Sequence, residues 1–212
     1  LSNWLADLPG TDRVAEQVGI DPDRELPPFR RETFVEWFAD RGPQVPEHAA
    51  DERVVLFPDT YTNYSYLAPG KAAVAVLEAA GVHVRVPDDL APSGRAAYSE
   101  GFLDVARERA RENVESLAPR VSDGWSVVFV EPSDAAMFQD EYRDLLPGGR
   151  AAADGGVGGD ATTGSAATDY PHAPVDRVAD AAFGVCEFLD RKRLDDGVAF
   201  DAGGETLAYH GH

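Results

Sequence analysis

Cysteine is almost absent from this sequence: Cys186 is the only one in 212 residues. A single thiol excludes an internal disulfide framework and any multi-thiolate site supplied by this chain alone. Lysine is nearly as scarce. Lys71 and Lys192 stand beside 17 Arg, against 23 Asp and 15 Glu, for a formal net charge of -19. A surface of that sign repels phosphate and anionic headgroups, which argues against nucleic-acid and membrane-surface binders. Long apolar runs are missing as well, and none approaches the ~18 residues of a membrane span. With no span and no export signal read in these residues, the expected compartment is the cytoplasm.

Hydrophobic residues still make up 43% of the chain, enough to bury a core in roughly one to one and a half domains. The excess of Asp with so little Lys suits a high-salt cytoplasm, where screening relieves self-repulsion. The competing reading is an ordinary acidic protein from a GC-rich genome. The last residues, Tyr209-His210-Gly211-His212, directly follow the apolar Thr206-Leu207-Ala208, and the chain is expected to be a piece of a longer protein.

Residues 1–50 read as a helical and extended arm. Trp4, Leu5, Leu8, Val14 and Val18 suit small helices broken at Pro9-Gly10, residues 21–29 are Pro-rich, and Phe34, Trp37 and Phe38 share a helical face between Glu32 and Arg41. Residues 51–212 read as the main domain. Short strands are expected at Val54–Phe57, Val82–Val86, Ser126–Val130 and Leu207–Tyr209. Helices are expected at Pro69–Ala80, Ser99–Leu117, Ser133–Leu146 and Val175–Arg193. On the helix beginning at Ser99, the buried stripe is expected to include Phe102, Leu103, Ala106, Ala110, Val114 and Leu117. Between Gly148 and Pro174 the sequence is low in complexity, with seven glycines, and is expected to be a flexible loop. Strands alternating with helices imply an α/β fold with a parallel, Rossmann-like sheet between helical layers.

Several motifs fail on context. Gly156-x-Gly158 follows no strand, and Gly70-Lys71-Ala72 lacks the upstream Gly and the Ser/Thr of a phosphate loop. Asn63-Tyr64-Ser65 is a glycosylation sequon without an export signal, and His210-x-His212 has no third local ligand for a metal. Cys186 lies in the apolar helical pattern and reads as a small core residue.

Polar clusters remain at three strand ends: Asp59, Thr60, Asn63 and Tyr64; then Ser93, Gly94 and Arg95; then Glu131, Ser133 and Asp134. Open parallel sheets collect ligands beyond the carboxyl ends of their strands, so these ten residues form the candidate pocket. Asp59, Ser93 and Ser133 or Asp134 equally suit capping of the helices that follow, and the residues alone leave both readings open.

The segment Val54-Val55-Leu56-Phe57-Pro58-Asp59-Thr60-Tyr61-Thr62-Asn63-Tyr64 resembles the opening of the cysteine-rich (CCG) domain family. The likeness continues through Gly70-Lys71-Ala72-Ala73-Val74, Gly94-Arg95, Ser99-Glu100-Gly101-Phe102-Leu103-Asp104 and Glu131-Pro132-Ser133-Asp134. Leu26 to Phe34 is similar to the stretch after the ferredoxin-like domain of fused family members, and Tyr209 to His212 to the run before the first cysteine of a second repeat. The family includes heterodisulfide reductase, iron–sulfur subunits of glycolate oxidase and anaerobic glycerol-3-phosphate dehydrogenase, and fused FAD/iron–sulfur D-lactate dehydrogenases.

The resemblance implies a first CCG repeat, possessing the fold but not the ligands. Where cluster-binding relatives carry cysteines this chain has Pro92, Ser93 and Asp134, with Asp59 in the first motif. Clusters are held by thiolates, which these side chains do not provide. The resemblance therefore implies no cofactor here, with FAD and [4Fe-4S] clusters elsewhere in a haloarchaeal-like parent oxidising a small 2-hydroxy acid or glycerol 3-phosphate. The implied partners are the second CCG repeat and the FAD-binding and ferredoxin-like domains. Alternatives are a non-enzymatic interaction module, or a metal-assisted enzyme using Asp59 and Asp134 as hard oxygen ligands.

The charge excess predicts salt-dependent folding. The Debye length grows to ~30 Å at about 0.01 M salt, leaving self-repulsion unscreened. Structure is expected to be lost in dilute buffer and recovered in molar KCl. A thermal midpoint that stays flat across that range removes the halophile reading.

Overall fold

The computed structural model describes residues 30–146, 172–194, 196, 198, 199 and 204. The expectations for residues 1–29, most of the Gly-rich loop, the strand at 207–209 and the pair His210 and His212 lie outside the described residues.

Four strands form one parallel sheet: β1 Arg53–Leu56, β2 His83–Arg85, β3 Ser126–Phe129 and β4 Ala182–Gly184. Their order is β2-β1-β3-β4. Val54 lies opposite Val84 on one side and Ser126 on the other, and Val127 opposite Ala182. β1 and β3 are short runs rich in valine, β2 alternates valine with His83 and Arg85, and proline follows closely at Pro58, Pro87 and Pro132. Proline supplies no N–H to continue a ladder.

Both faces of the sheet are buried, as parallel strands require. Val54, Leu56 and Val128 enter one core with Phe34, Leu67, Val74, Leu77 and Phe188. Val55, Phe57, Val127 and Phe129 enter the other with Ala110, Val114, Leu117, Phe138 and Tyr142. The alternation along each strand thus separates two helical layers, and the fold is the expected three-layer α/β architecture. Helix α1 (Phe34–Arg41), α2 (Thr60–Tyr64), α3 (Leu67–Ala79), α4 (Arg95–Ser99) and α5 (Leu103–Ser122) precede β3. After β3 come α6 (Pro132–Ala136), a π-helical turn over Met137–Glu141, and α7 (Tyr142–Leu145). Helices α8 (His172–Asp180) and α9 (Val185–Arg191) flank β4.

Helix α1 starts at a capping box. The Thr33 hydroxyl accepts from the Glu36 N–H at 3.1 Å, and the Glu36 carboxylate accepts from the Thr33 N–H at 2.8 Å. At its other end Arg41 grips Glu78 of α3 with both guanidinium nitrogens, a geometry that fixes orientation as well as charge.

Two expectations are corrected. The helix expected over Val175–Arg193 is interrupted by β4. Ala181-Ala182-Phe183-Gly184-Val185 is a short apolar run compatible with either period, and pairing with β3 decides it. The helix expected from Ser99 begins instead at Leu103: α4 ends at Ser99, and Gly101, at φ +82°, separates it from α5. Phe102 and Leu103 consequently leave the buried stripe and are 63% and 45% exposed.

Gly70 marks the closest approach of α3 to its neighbours. A Cβ built there would collide with the Thr62 methyl and stand 2.9 Å from the Phe34 ring. Both neighbours are buried and cannot swing away. Gly70→Ala gains ~1 kcal/mol of helix propensity but overpacks at a cost of about 1–3 kcal/mol. A net loss of up to about 2 kcal/mol is expected in denaturant unfolding; a more stable variant shows the contact to be loose.

Candidate functional site

The chain runs from β1 outward to β2, then returns across β1 to lay down β3 on its far side. Loops leaving β1 and β3 therefore diverge, which opens a crevice at the carboxyl end of the sheet. A cavity of about 550 Å³ sits there. Its wall comes from Asp59, Thr60 and Tyr61 after β1, residues 92–97 after β2, Glu131, Ser133 and Asp134 after β3, and Val105 and Arg109 of α5.

Eight of the ten candidate residues line this cavity: Asp59, Thr60, Ser93, Gly94, Arg95, Glu131, Ser133 and Asp134. Asn63 and Tyr64 lie elsewhere, on an adjoining cleft with Thr33, Val35 and Pro87. Asn63 is already engaged, since its Oδ1 accepts from the Val35 N–H at 3.1 Å and ties α1 to α2.

Capping accounts for part of the cluster. Asp59 Oδ1 accepts from the Thr62 N–H at 2.9 Å, and Glu131 Oε1 accepts from the Ser133 N–H at 3.1 Å and hydroxyl at 2.8 Å. It does not account for the rest. Asp59 is only 3% exposed, and its Oδ2 is buried with no hydrogen-bond partner. Asp134 caps nothing; its Oδ1 accepts a short hydrogen bond from the Ser93 hydroxyl. Burial pushes the Asp134 carboxyl up to about 6, opposed by the Ser93 hydroxyl. The nearby charges of Asp59 and Glu131 raise it further, and Arg95 lowers it. Arg95 itself pairs with Glu141 at 2.8 Å.

The loop carrying Ser93 is held by residues the sequence pattern did not single out for the site. The Tyr142 hydroxyl donates to the Ser93 carbonyl at 2.9 Å. Asn113 Nδ2 donates to the Tyr142 oxygen at 2.9 Å and to the Pro92 carbonyl at 3.2 Å. Burial raises the Tyr142 phenol far above its usual range, so it stays a donor at every working pH. A signal for Asn113 existed: it follows Ala106 and Ala110 at helical spacing and is the polar member of a buried stripe. Gly94 has φ +85°, and a Cβ there would stand 3.3 Å from the backbone of Ala106. The loop can press against α5 only with glycine at this position.

A [4Fe-4S] cluster does not fit this donor set. Pro92 has no donor, the Ser93 hydroxyl is committed to Asp134, and the acidic groups are hard oxygen ligands where a cluster takes thiolates. The lone thiol is no substitute. Cys186 is exposed, correcting its expected place in the core, and lines a separate apolar groove with Pro69, Ala72, Val76 and Val185. It turned outward because β4 ends the run at Gly184 and restarts the helical phase. Among the described residues no three His, Cys, Asp or Glu side chains gather to hold a metal ion. No described helix is long and apolar enough to cross a membrane.

No family model matches the chain, and no solved structure matches it. The chain is distantly similar to one of the subunits of the anaerobic glycerol-3-phosphate dehydrogenase of Escherichia coli K12, 30% identical over 128 residues, covering 60% of this chain and 32% of that protein. It is also 31% identical over 93 residues to lactate utilization protein A of Shouchella clausii, covering 44% of this chain and 37% of that protein. The chain thus spans about a third of the length of the curated relatives it matches.

The buried Asp134 gives a pH signature. It holds its proton more tightly folded than unfolded, so stability falls as pH rises from its ordinary 3.8 to about 6 and is then constant. Asp134→Asn keeps an acceptor for Ser93 and removes that loss. The variant is expected to gain about 3 kcal/mol over the parent chain near pH 7.5, and much less near pH 4. Equal urea-unfolding differences at the two pH values contradict the burial argument.

Proposed function

We propose that this chain is a cluster-free CCG-type repeat of an oxidoreductase, acting as a scaffold within an electron-transfer assembly. The observation that carries the reading is the cavity at the β1–β3 divergence. Three loops that resemble the family's ligand loops converge there and present Pro92, Ser93, Asp134 and Asp59 in place of thiolates. The partial similarity to a subunit of anaerobic glycerol-3-phosphate dehydrogenase and to a lactate utilization protein supports the enzyme context.

In this reading the parent oxidises D-lactate, glycolate or glycerol 3-phosphate. Flavin takes the electrons from substrate, and clusters held by cysteines on other segments pass them on. This repeat contributes shape. Its partners are the second CCG repeat and the FAD-binding and ferredoxin-like domains. An interaction role without redox chemistry of its own is favoured by one further observation, the exposed Tyr61 and Val105 on the cavity wall. The metal-assisted alternative has less support, since the described acidic residues gather no three-ligand group.

Anaerobic reconstitution with iron and sulfide tests the assignment. The chain is expected to remain colourless, with no stoichiometric iron or acid-labile sulfide. One cluster's worth of both on the unmodified chain overturns the cluster-free reading.

A further inference from the structure

The described residues expose six large hydrophobic side chains: Tyr61, Tyr64, Tyr66, Phe102, Leu103 and Val105. All six fall on two stretches, the α2 region and the start of α5. Each stretch has one member on the cavity wall. Tyr61 and Val105 line it, and the Phe102 N–H donates to the carbonyl of Ala97, another wall residue, at 2.8 Å. Exposed apolar groups at the mouth of a cavity, here Tyr61, Val105 and the adjoining Phe102, mark a contact surface.

The cavity behind this collar is short of positive charge. Asp59, Asp134 and Glu131 face it. Of its two arginines, Arg95 is paired with Glu141 and Arg109 with Glu112, each at 2.8 Å. Asp59 Oδ2 is buried and unpartnered. Buried carboxylate oxygens are ordinarily paired or hydrogen-bonded, so a cation or donor that reached Asp59 Oδ2 would be favoured there. The walls say what carries it. Pro92, Ala96, Ala97 and Val105 offer an apolar lining for an aliphatic stem, the way lysine and arginine bury their methylenes while the charged head finds its partner.

We infer that this cavity receives a lysine or arginine side chain presented by a partner polypeptide lying on the apolar collar. A polypeptide suits the surface better than a free amine, because the exposed apolar surface continues from Val105 to Leu103 and Phe102, neither of which lines the cavity. A bare metal ion would leave most of the 550 Å³ unfilled. The inference rests on the assembly role proposed above and names the chemistry of the partner. Its failure is separable, since iron reconstitution reads the cluster assignment and peptide binding reads this one.

The test is calorimetric titration of the intact chain, in a buffer where circular dichroism shows it folded, with acetyl-Leu-Arg-Leu-amide. Controls are the same peptide with Gln replacing Arg, n-butylguanidinium, and MgCl₂. The Arg peptide is expected to bind one to one and at least about tenfold more tightly than the Gln peptide. Asp59→Asn preserves the capping oxygen and should lose about tenfold in affinity for the Arg peptide. Phe102→Ser, on the exposed collar, should weaken the peptide and leave n-butylguanidinium unchanged. Equal binding of the Gln peptide, no binding of the Arg peptide, or full affinity in folded Asp59→Asn overturns the inference. Guanidinium binding as tightly as the peptide, indifferent to Phe102→Ser, reassigns the site to a free amine. Competition by Mg²⁺ with loss of the Phe102 effect reassigns it to a metal.

Discussion

The Tyr142 hydroxyl is the pin on which the site depends. It donates to the Ser93 carbonyl and accepts from Asn113, whose amide also reaches the Pro92 carbonyl. One buried phenol thus joins α7, α5 and the loop after β2. Its ring is fixed from below by aromatic packing: Phe138 lies 4.2 Å from it, Phe129 4.7 Å from Phe138, and Phe57 5.1 Å from Phe129. Phe57 and Phe129 stand at the ends of β1 and β3, so the position of Ser93 is referred back to the sheet itself. Without the pin, the Ser93 carbonyl would be stranded in a buried place at about 1–3 kcal/mol.

What the pinned loop holds is unfavourable by itself. Ser93 is set against Asp134, and Asp134 sits near Asp59 in surroundings that resist ionisation. Burying a pair of carboxylates, one with an unpartnered oxygen, is costly to the isolated fold. Capping explains Asp59 Oδ1 and Glu131 Oε1, because a helix start needs one acceptor. It leaves Asp59 Oδ2 and Asp134 unexplained. An unfavourable arrangement of this kind, at the point where a parallel sheet diverges, is the pattern of a place that meets something else.

The sheet and the convergence of its loops were largely legible in the sequence, and for a common reason. Val54–Leu56 and Ser126–Phe129 are dense in β-branched residues and are ended by proline, so length and punctuation separated them from helices. Polar residues directly beyond those ends could only gather at one edge. β4 was not legible, because Ala182-Phe183-Gly184 is too short to show a period and owes its state to pairing with β3. The exposure of Phe102 and Leu103 was hidden by Gly101: a left-handed residue there starts α5 only at Leu103, so both side chains sit at the helix's exposed start, while hydrophobicity alone placed both inside. Asn113 and Tyr142 escaped attention because their roles require a loop more than 20 residues away in sequence.

On the proposed function, losing thiolates raises the question of why the cavity persists. A cluster ties its surrounding loops together through covalent bonds, and removing it leaves those loops to find other anchors. Here each has one: the β1 loop through the Asp59 cap, the β2 loop through Tyr142 and Asn113, and the β3 loop through the Glu131 cap. The bond from Ser93 to Asp134 then links the last two loops directly. All of these are oxygen–nitrogen or oxygen–oxygen contacts that need no metal. The open space they leave is walled on one side by Ala96, Ala97 and Val105, which are too small to fill it. A scaffold with no occupant would gain by replacing such residues with larger ones, since each buried methylene is worth ~0.8 kcal/mol. Small walls, a glycine pressed on α5 and an unpaired carboxylate oxygen together keep the volume open, and that combination is consistent with a cavity completed by a neighbour.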